Sequence, residues 1–253
     1  MQDKVVIVTG ASSGIGYAAA LKFAELGAKV IAIGRNQSAL KELRDESVEL
    51  PGKLKEQLTD LRETSQVDRL FTSVMDNYGR VDALINSAGI IATGSLFDTE
   101  LDSWDKMMDI NLRSMFYMMK KAVPFLTKSQ GNIVNVSSVA GTRAFPNVLA
   151  YCVSKAGVDQ LTRCAALELA PKNIRVNAVN PGVVVSNLHK RGGMNEADYE
   201  AFLEHSNSTH PLGRPGTPGE VADLICYLAS DKAAWITGAT YEIDGGRAQT
   251  CAR

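Results

Sequence analysis

The chain has 253 residues, 22% of them charged, and a formal net charge of -1, which excludes both the basic footprint of a nucleic-acid binder and a charged tail. Its apolar stretches are interrupted by Gly, Asn or Lys well before the ~20 residues a membrane span needs, and Cys152, Cys164, Cys226 and Cys251 have neither metal-ligand spacing nor the look of a disulfide framework. A first strand beginning near Lys4 leaves no room for a secretory leader, so the expectation is a cytoplasmic protein with small-molecule partners, no nucleic acid and no membrane.

In chain order, VVIVTG reads as a buried strand and IGYAAALKFAELG as a helix that stops at Gly27. Gly10, Gly14 and Gly16 therefore fall on a strand-to-helix turn, where unpaired N–H groups and a bare backbone favour a phosphate; by themselves they also fit an ordinary βα loop. AKVIAIGRN is a second strand, SALKELRDESVEL a helix, KLKEQLTD a third strand, ETSQVDRLFTSVMDNYG a helix and VDALINSAG a fourth strand. A long helical stretch follows from Leu101 to Ser129, then the strand GNIVNVSS, a helix from about Leu149 to Leu169 and the strand IRVNAVNPG. Residues 183–210 are polar, glycine-rich and weakly periodic, which predicts a mobile lid; the helix EVADLICYLAS and a strand near GATYEID close the chain. Strands alternating with helices and no linker-like shift in composition predict one α/β domain over residues 1–253, with a doubly wound parallel sheet covered by helices on both faces.

In such a sheet, ligands bind beyond the carboxyl ends of the strands. That edge collects Gly10 to Gly16, Gly34-Arg35-Asn36, Asp60, Asn86 to Gly89, Ser137-Ser138 and Asn180-Pro181-Gly182. On the helix that follows Ser138, Tyr151 and Lys155 are four residues apart and so share a face. A cation there favours the phenolate and lowers the tyrosine pKa from ~10, which suits a general acid or base. Each residue taken alone is also an ordinary core aromatic, surface lysine or turn serine. His189, His205 and His210 lack ligand spacing and are expected to be solvated, with substrate contact as the alternative; no metal is expected.

TGASSGIG, NSAG, the Ser138/Tyr151/Lys155 set and NPG, in that order, closely resemble the short-chain dehydrogenase/reductase family, and the resemblance runs from Val5 to Gly246. It implies a Rossmann-like fold with a seven-stranded parallel sheet in the order 3-2-1-4-5-6-7, hydride transfer between a nicotinamide and a carbonyl or alcohol, and assembly into homotetramers. Carried over by position, Tyr151 resembles the proton donor and Ser138 the residue that orients the substrate oxygen. Lys155 resembles the residue that binds the nicotinamide ribose and lowers the tyrosine pKa, and Asn111 the asparagine that holds a water in the proton relay. The cofactor set implied is Gly10, Ser12, Ser13, Gly14, Ile15, Gly16, Arg35, Asn36, Asp60, Leu61, Asn86, Ala88, Gly89, Tyr151, Lys155, Pro181, Gly182, Val184 and Ser186. Within it Asp60 resembles the acceptor for the adenine amino group, Ala88 and Gly89 leave room for the adenine ribose, and Ser186 stands where a threonine commonly holds the carboxamide.

An acid at the end of the second strand pairs with the ribose hydroxyls of NAD, whereas a nearby arginine accommodates the phosphate of NADP. AIGRN has Arg35 and no acid, so NADP(H) is expected, with Asn36 and Ser12 as neutral donors. Ser87 replaces the second asparagine of the usual NNAG, which weakens a hydrogen bond within the sheet. The expected activity is NADPH-dependent carbonyl reduction resembling that of 3-oxoacyl-carrier-protein reductases. A dehydrogenase of alcohols, polyols or steroids and a non-catalytic cofactor sensor are the alternatives. Met107, Met108, Met115, Met118 and Met119 fit a subunit interface and the monomer core equally well, and the RAQTCAR tail is expected beside a neighbouring subunit.

Overall fold

The computed structural model describes residues 1–250; Cys251 and the end of the tail lie outside the described residues. Strands β1 (Val5–Thr9), β2 (Lys29–Gly34), β3 (Lys53–Leu58), β4 (Ala83–Asn86), β5 (Asn132–Val136), β6 (Arg175–Pro181) and β7 (Thr240–Ile243) form a seven-stranded sheet in the order β3-β2-β1-β4-β5-β6-β7. Every pairing is parallel. Alternate strand residues point to opposite sides, and along the inner strands both sheet faces are buried. Val6, Val8, Val30 and Ala32 pack under α1 (Gly14–Glu25), α2 (Gln37–Glu46) and α9 (Pro218–Ala229). Val5, Ile7, Ile31 and Ile33 face α3 (Thr64–Tyr78), α5 (Ser114–Ser129) and α6 (Leu149–Leu169). Fully burying a side chain the size of Ile7 or Phe23 is worth roughly 1.5–3 kcal/mol, and both have no exposed surface, so this two-sided core dominates the stability of the fold.

The long helical stretch is not one helix. Helix α4 (Leu101–Met108) passes into a single π-helical segment, Asp109–Arg113, before α5 begins. Such segments are uncommon and cluster at functional sites; this one carries Asn111. Met107, Met115, Met118 and Met119 are buried within the single chain, so of the two uses open to the methionines these four take the monomer core.

Residues 183–210, weakly periodic in sequence, hold helical structure. They contain α7 (Leu188–Arg191) and α8 (Glu196–Thr209), and Asn195 caps α8 by accepting from the Asp198 N–H at 2.9 Å. Tyr199, Phe202, Leu203 and Ser206 repeat at helical spacing along α8, with Tyr199 and Ser206 buried. Two of these positions are polar or amphipathic, which hides the stripe from a hydrophobic pattern.

Candidate active site

The strand order reverses between β1 and β4, and ligands of doubly wound sheets bind at such a reversal. Thr9, at the end of β1, ties the two strands together there: its hydroxyl accepts from the Ser87 and Ala88 N–H groups at 3.0 and 3.1 Å. Gly10 turns away with φ of 68°, and a Cβ on it would lie 2.8 Å from Ala88 Cα and N. A side chain at Gly16 would meet the Gly10 carbonyl oxygen at 2.5 Å. These two glycines are thus required by backbone packing, and the closely packed turn leaves the start of α1 bare towards the cleft.

A cleft of about 860 Å³ runs along this edge. It brings together Gly10, Ser12, Ser13, Gly14, Ile15, Arg35, Asp60, Leu61, Ala88, Gly89, Ser138, Tyr151, Lys155, Pro181, Gly182, Val184 and Ser186. Four expected site residues stand outside its lining. Gly16 packs on the turn as described. Asn36 caps α2, its Oδ1 accepting from the Ala39 N–H at 3.2 Å, and keeps its amide donors. Asn86 is buried in the sheet and donates to Asn135 Oδ1 at 2.9 Å. Asn111 lies fully buried behind the cleft wall; its Oδ1 accepts from the Ile90 N–H at 2.8 Å, while Nδ2 donates to the Ile90 carbonyl at 2.9 Å and to Ser154 Oγ at 3.0 Å. Its side chain therefore fixes the wall at Ile90 and the helix that carries the tyrosine.

Ser138 ends the β5 loop and caps a short turn, its Oγ accepting from the Ala140 N–H at 3.1 Å. Tyr151 and Lys155 follow on the first turns of α6, both nearly buried at 8% and 5% exposure. Tyr151 packs with Met107, Ala140 and Ala150. Lys155 Nζ donates to the Val136 carbonyl at 2.8 Å and lies 5.7 Å from the centre of the Tyr151 ring. Burial works against the expected lowering of the tyrosine pKa. Burial pushes the Tyr151 phenol up to about 12, opposed by the Ser138 hydroxyl, and pushes the Lys155 ammonium down to about 8. With both groups out of water, loss of hydration outweighs the cation's attraction.

The lysine shift has a stability consequence of definite sign. Folded Lys155 titrates near 8 against an ordinary value of 10.5, so between those values the unfolded chain binds more protons and stability rises with pH. Below that window the buried charge costs on the order of 3 kcal/mol. Lys155→Met is expected to raise the Tm at pH 7 and to lose its advantage as pH approaches 10.5. Thermal denaturation of both proteins across this range checks it; an advantage that did not change with pH would mean the charge is not its source.

At the adenine end, Asp60 is held by Arg62, whose Nη2 donates to Oδ2 at 2.6 Å and Nε to Oδ1 at 3.1 Å. Those bonds keep its carboxyl below the ordinary carboxylate range. Arg62 itself lines the cleft and was not marked by any sequence motif. Arg35 is exposed at the cleft margin. A Cβ on Gly34 would lie 3.1 Å from Ser12 Cβ, so Ser12 and the end of β2 meet there.

The histidines are not uniformly solvated. His210 is buried, its Nε2 accepting from the Val183 N–H at 3.1 Å and its Nδ1 lying 2.8 Å from the Ser206 carbonyl; it joins the end of α8 to the β6 loop. His189 lines the cleft against the Phe202 ring, centroids 4.5 Å apart, and burial lowers its pKa. Of the three, His205 alone is exposed. Tyr199, also unmarked by the sequence, anchors α8: its hydroxyl accepts from the Ser186 N–H at 3.0 Å and donates to the Ser186 carbonyl at 2.9 Å.

The sheet order, the glycine turn and the cleft define the dinucleotide-binding class of α/β proteins. The family model described as enoyl-(acyl carrier protein) reductase matches residues 10–248. The chain is 40% identical over 247 residues to the 3-oxoacyl-[acyl-carrier-protein] reductase of Thermotoga maritima, covering 97% of this chain and 98% of that one. It is 35% identical over 245 residues to the cyclohexanol dehydrogenase of an Acinetobacter strain, covering 96% and 94%. A Caenorhabditis elegans short-chain dehydrogenase/reductase of unknown function, solved with cofactor, superposes with a TM-score of 0.94 at 34% identity, over 99% of this chain and 97% of that one. The chain belongs to the short-chain dehydrogenase/reductase family, oxidoreductases that use a nicotinamide cofactor.

Proposed function

We propose that the protein reduces a carbonyl group to an alcohol with NADPH, and that Tyr151 is the proton donor. The observation that carries this reading is the meeting of Ser138, Tyr151 and Lys155 in one cleft with the bare glycine turn. The residues present fit the dinucleotide: a Cβ at Gly10 has no room and one at Gly14 would approach Ser186 Cβ at 3.2 Å, so backbone alone faces the pyrophosphate position. Ser12, Ser13, Ile15, Asp60, Leu61, Ala88 and Gly89 would hold the adenosine half, and Pro181, Gly182, Val184 and Ser186 the nicotinamide half. When bound, the nicotinamide supplies the hydride.

The chain's own groups do the rest. Ser138 Oγ and the Tyr151 hydroxyl donate to the carbonyl oxygen as negative charge grows on it, a stabilisation concentrated in the transition state. Tyr151, whose phenol stays protonated at neutral pH, then gives its proton to that oxygen. Lys155, fixed by the Val136 carbonyl, has N–H donors left for the ribose hydroxyls and for replacing the tyrosine proton. Arg35 favours NADPH because a guanidinium pairs with a phosphate through charge-assisted bonds. The test is NADPH consumption over a panel of ketones, aldehydes and 3-oxoacyl thioesters. Turnover of at least one carbonyl, faster with NADPH than with NADH, supports the reading; oxidation of alcohols alone favours the reverse reaction, and cofactor binding without turnover favours a sensor.

The protein is also proposed to self-associate into a homotetramer. Phe116 on α5 and Val153 and Leu167 on α6 are exposed apolar residues, and Trp235 beside the edge strand β7 is fully exposed, as faces that pair with a symmetric copy would be. Sedimentation at micromolar concentration is expected to give a tetramer with or without NADPH; a monomer in both conditions would refute it.

A further inference from the structure

Arg247 follows β7 in the sequence and lines the same cleft as Ser138 and Tyr151. Its guanidinium carbon lies 5.0 Å from the centre of the Phe145 ring, and Phe145 packs against the cluster that contains Tyr151. Nη1 donates to Thr209 Oγ1 at the end of α8. The ring and the threonine hold the guanidinium in place, and no protein acceptor among the described residues takes its Nε and Nη2 hydrogens.

The charge of Arg247 is offset at longer range by the Asp244 carboxylate alone among the described residues. It forms no ion pair among the described residues. The neighbouring Asp244 spends Oδ1 on the Gly246 N–H at 2.9 Å and Oδ2 on the Ala248 N–H at 2.6 Å. Asp60 is the one carboxylate lining the cleft, and Arg62 already holds it. A half-buried guanidinium with no carboxylate in direct contact among the described residues favours an anion that uses its free donors, and a stacked, pre-oriented fork matches the two oxygens of an oxyanion.

We infer that the substrate carries an oxyanion, a carboxylate or phosphate, on the same molecule as the carbonyl, and that Arg247 binds it. This rests on the carbonyl-reductase reading and names the substrate class of that site. The anion held by Arg247 and the carbonyl oxygen held by Ser138 and Tyr151 give the substrate two fixed points, so Arg247 selects among carbonyl compounds without taking part in the proton transfer.

The experiment compares 2-, 3- and 4-oxo acids with their methyl esters, and dihydroxyacetone phosphate with dihydroxyacetone, as substrates of the wild type, Arg247→Met and Arg247→Lys with NADPH. The same compounds are tested for thermal stabilisation of the NADPH-bound proteins. The expected result is a kcat/KM at least tenfold higher for an anionic compound than for its neutral counterpart. Arg247→Met should erase that ratio while leaving the neutral counterpart within about threefold, and Arg247→Lys should keep part of it. Whichever arm shows the preference identifies carboxylate or phosphate. Equal losses on charged and neutral substrates, or neutral substrates preferred by the wild type, overturn the inference and leave carbonyl reduction standing. If no carbonyl is turned over, the reductase reading falls; an anion that still stabilises the wild type but not Arg247→Met then upholds the oxyanion site, and no such stabilisation overturns both. Should Arg247→Met fail to fold, loss of the preference in Arg247→Gln, which keeps a donor for Thr209, decides the same question.

Discussion

Tyr151→Phe is expected to lower kcat for carbonyl reduction by about 10²–10⁴-fold, the usual worth of a positioned general acid, while NADPH affinity stays within a few fold. The asymmetry follows from where the hydroxyl sits. The ring is what packs against Met107, Ala140 and Ala150, and Phe keeps it; the phenolic O–H is what faces Ser138 in the cleft, and Phe removes it. Single-turnover kinetics with a saturating carbonyl substrate, alongside fluorescence titration of NADPH, separate the two. Retention of more than about a tenth of the turnover would remove Tyr151 from the role of general acid, because a bystander hydroxyl is not worth that acid's factor.

Arg35→Asp is expected to move cofactor preference from NADPH towards NADH by about 10²-fold or more in the ratio of kcat/KM values, since the substitution removes an attraction and adds a repulsion. Arg35 stands at the carboxyl end of β2, beside Ser12, where an acid pairs with the ribose hydroxyls. Arg62 lies across the same end of the cleft but is committed to Asp60, so it does not replace Arg35. The measurement is the ratio for the two cofactors at a fixed carbonyl substrate. A ratio that stays put would mean that Arg35 is a solvated cation and that discrimination lies elsewhere.

Much of this was legible because the sheet is buried on both sides. Continuous apolar strands such as VVIVT and KVIAIG, each followed by an amphipathic helix, allow few topologies, and the strand ends then place the candidate residues on one edge. The glycine turn and the Tyr151/Lys155 spacing were equally plain, because they are local patterns. What escaped depends on side-chain partners that no motif marks. Arg62 looks like any helix-entry cation until Asp60 is seen to hold it. His210 looks like a loop histidine until the Val183 N–H is found against its ring. Tyr199 and α8 were hidden because serine and tyrosine occupy the buried stripe, and the push of burial on Tyr151 and Lys155 was missed because proximity was visible in the sequence whereas depth of burial was not.

Lys155 also bears on how the protein tolerates change. A lysine that is 5% exposed and anchored by one carbonyl works against the fold that surrounds it, so on the role proposed for Lys155 heat resistance and turnover pull this position in opposite directions. On that role, a library selected only for survival at high temperature is expected to enrich apolar residues here and return well-folded proteins without turnover. Any directed evolution of this scaffold therefore has to screen for activity in the first round, or hold this position constant while the outer surfaces of α2, α3 and α9 are varied.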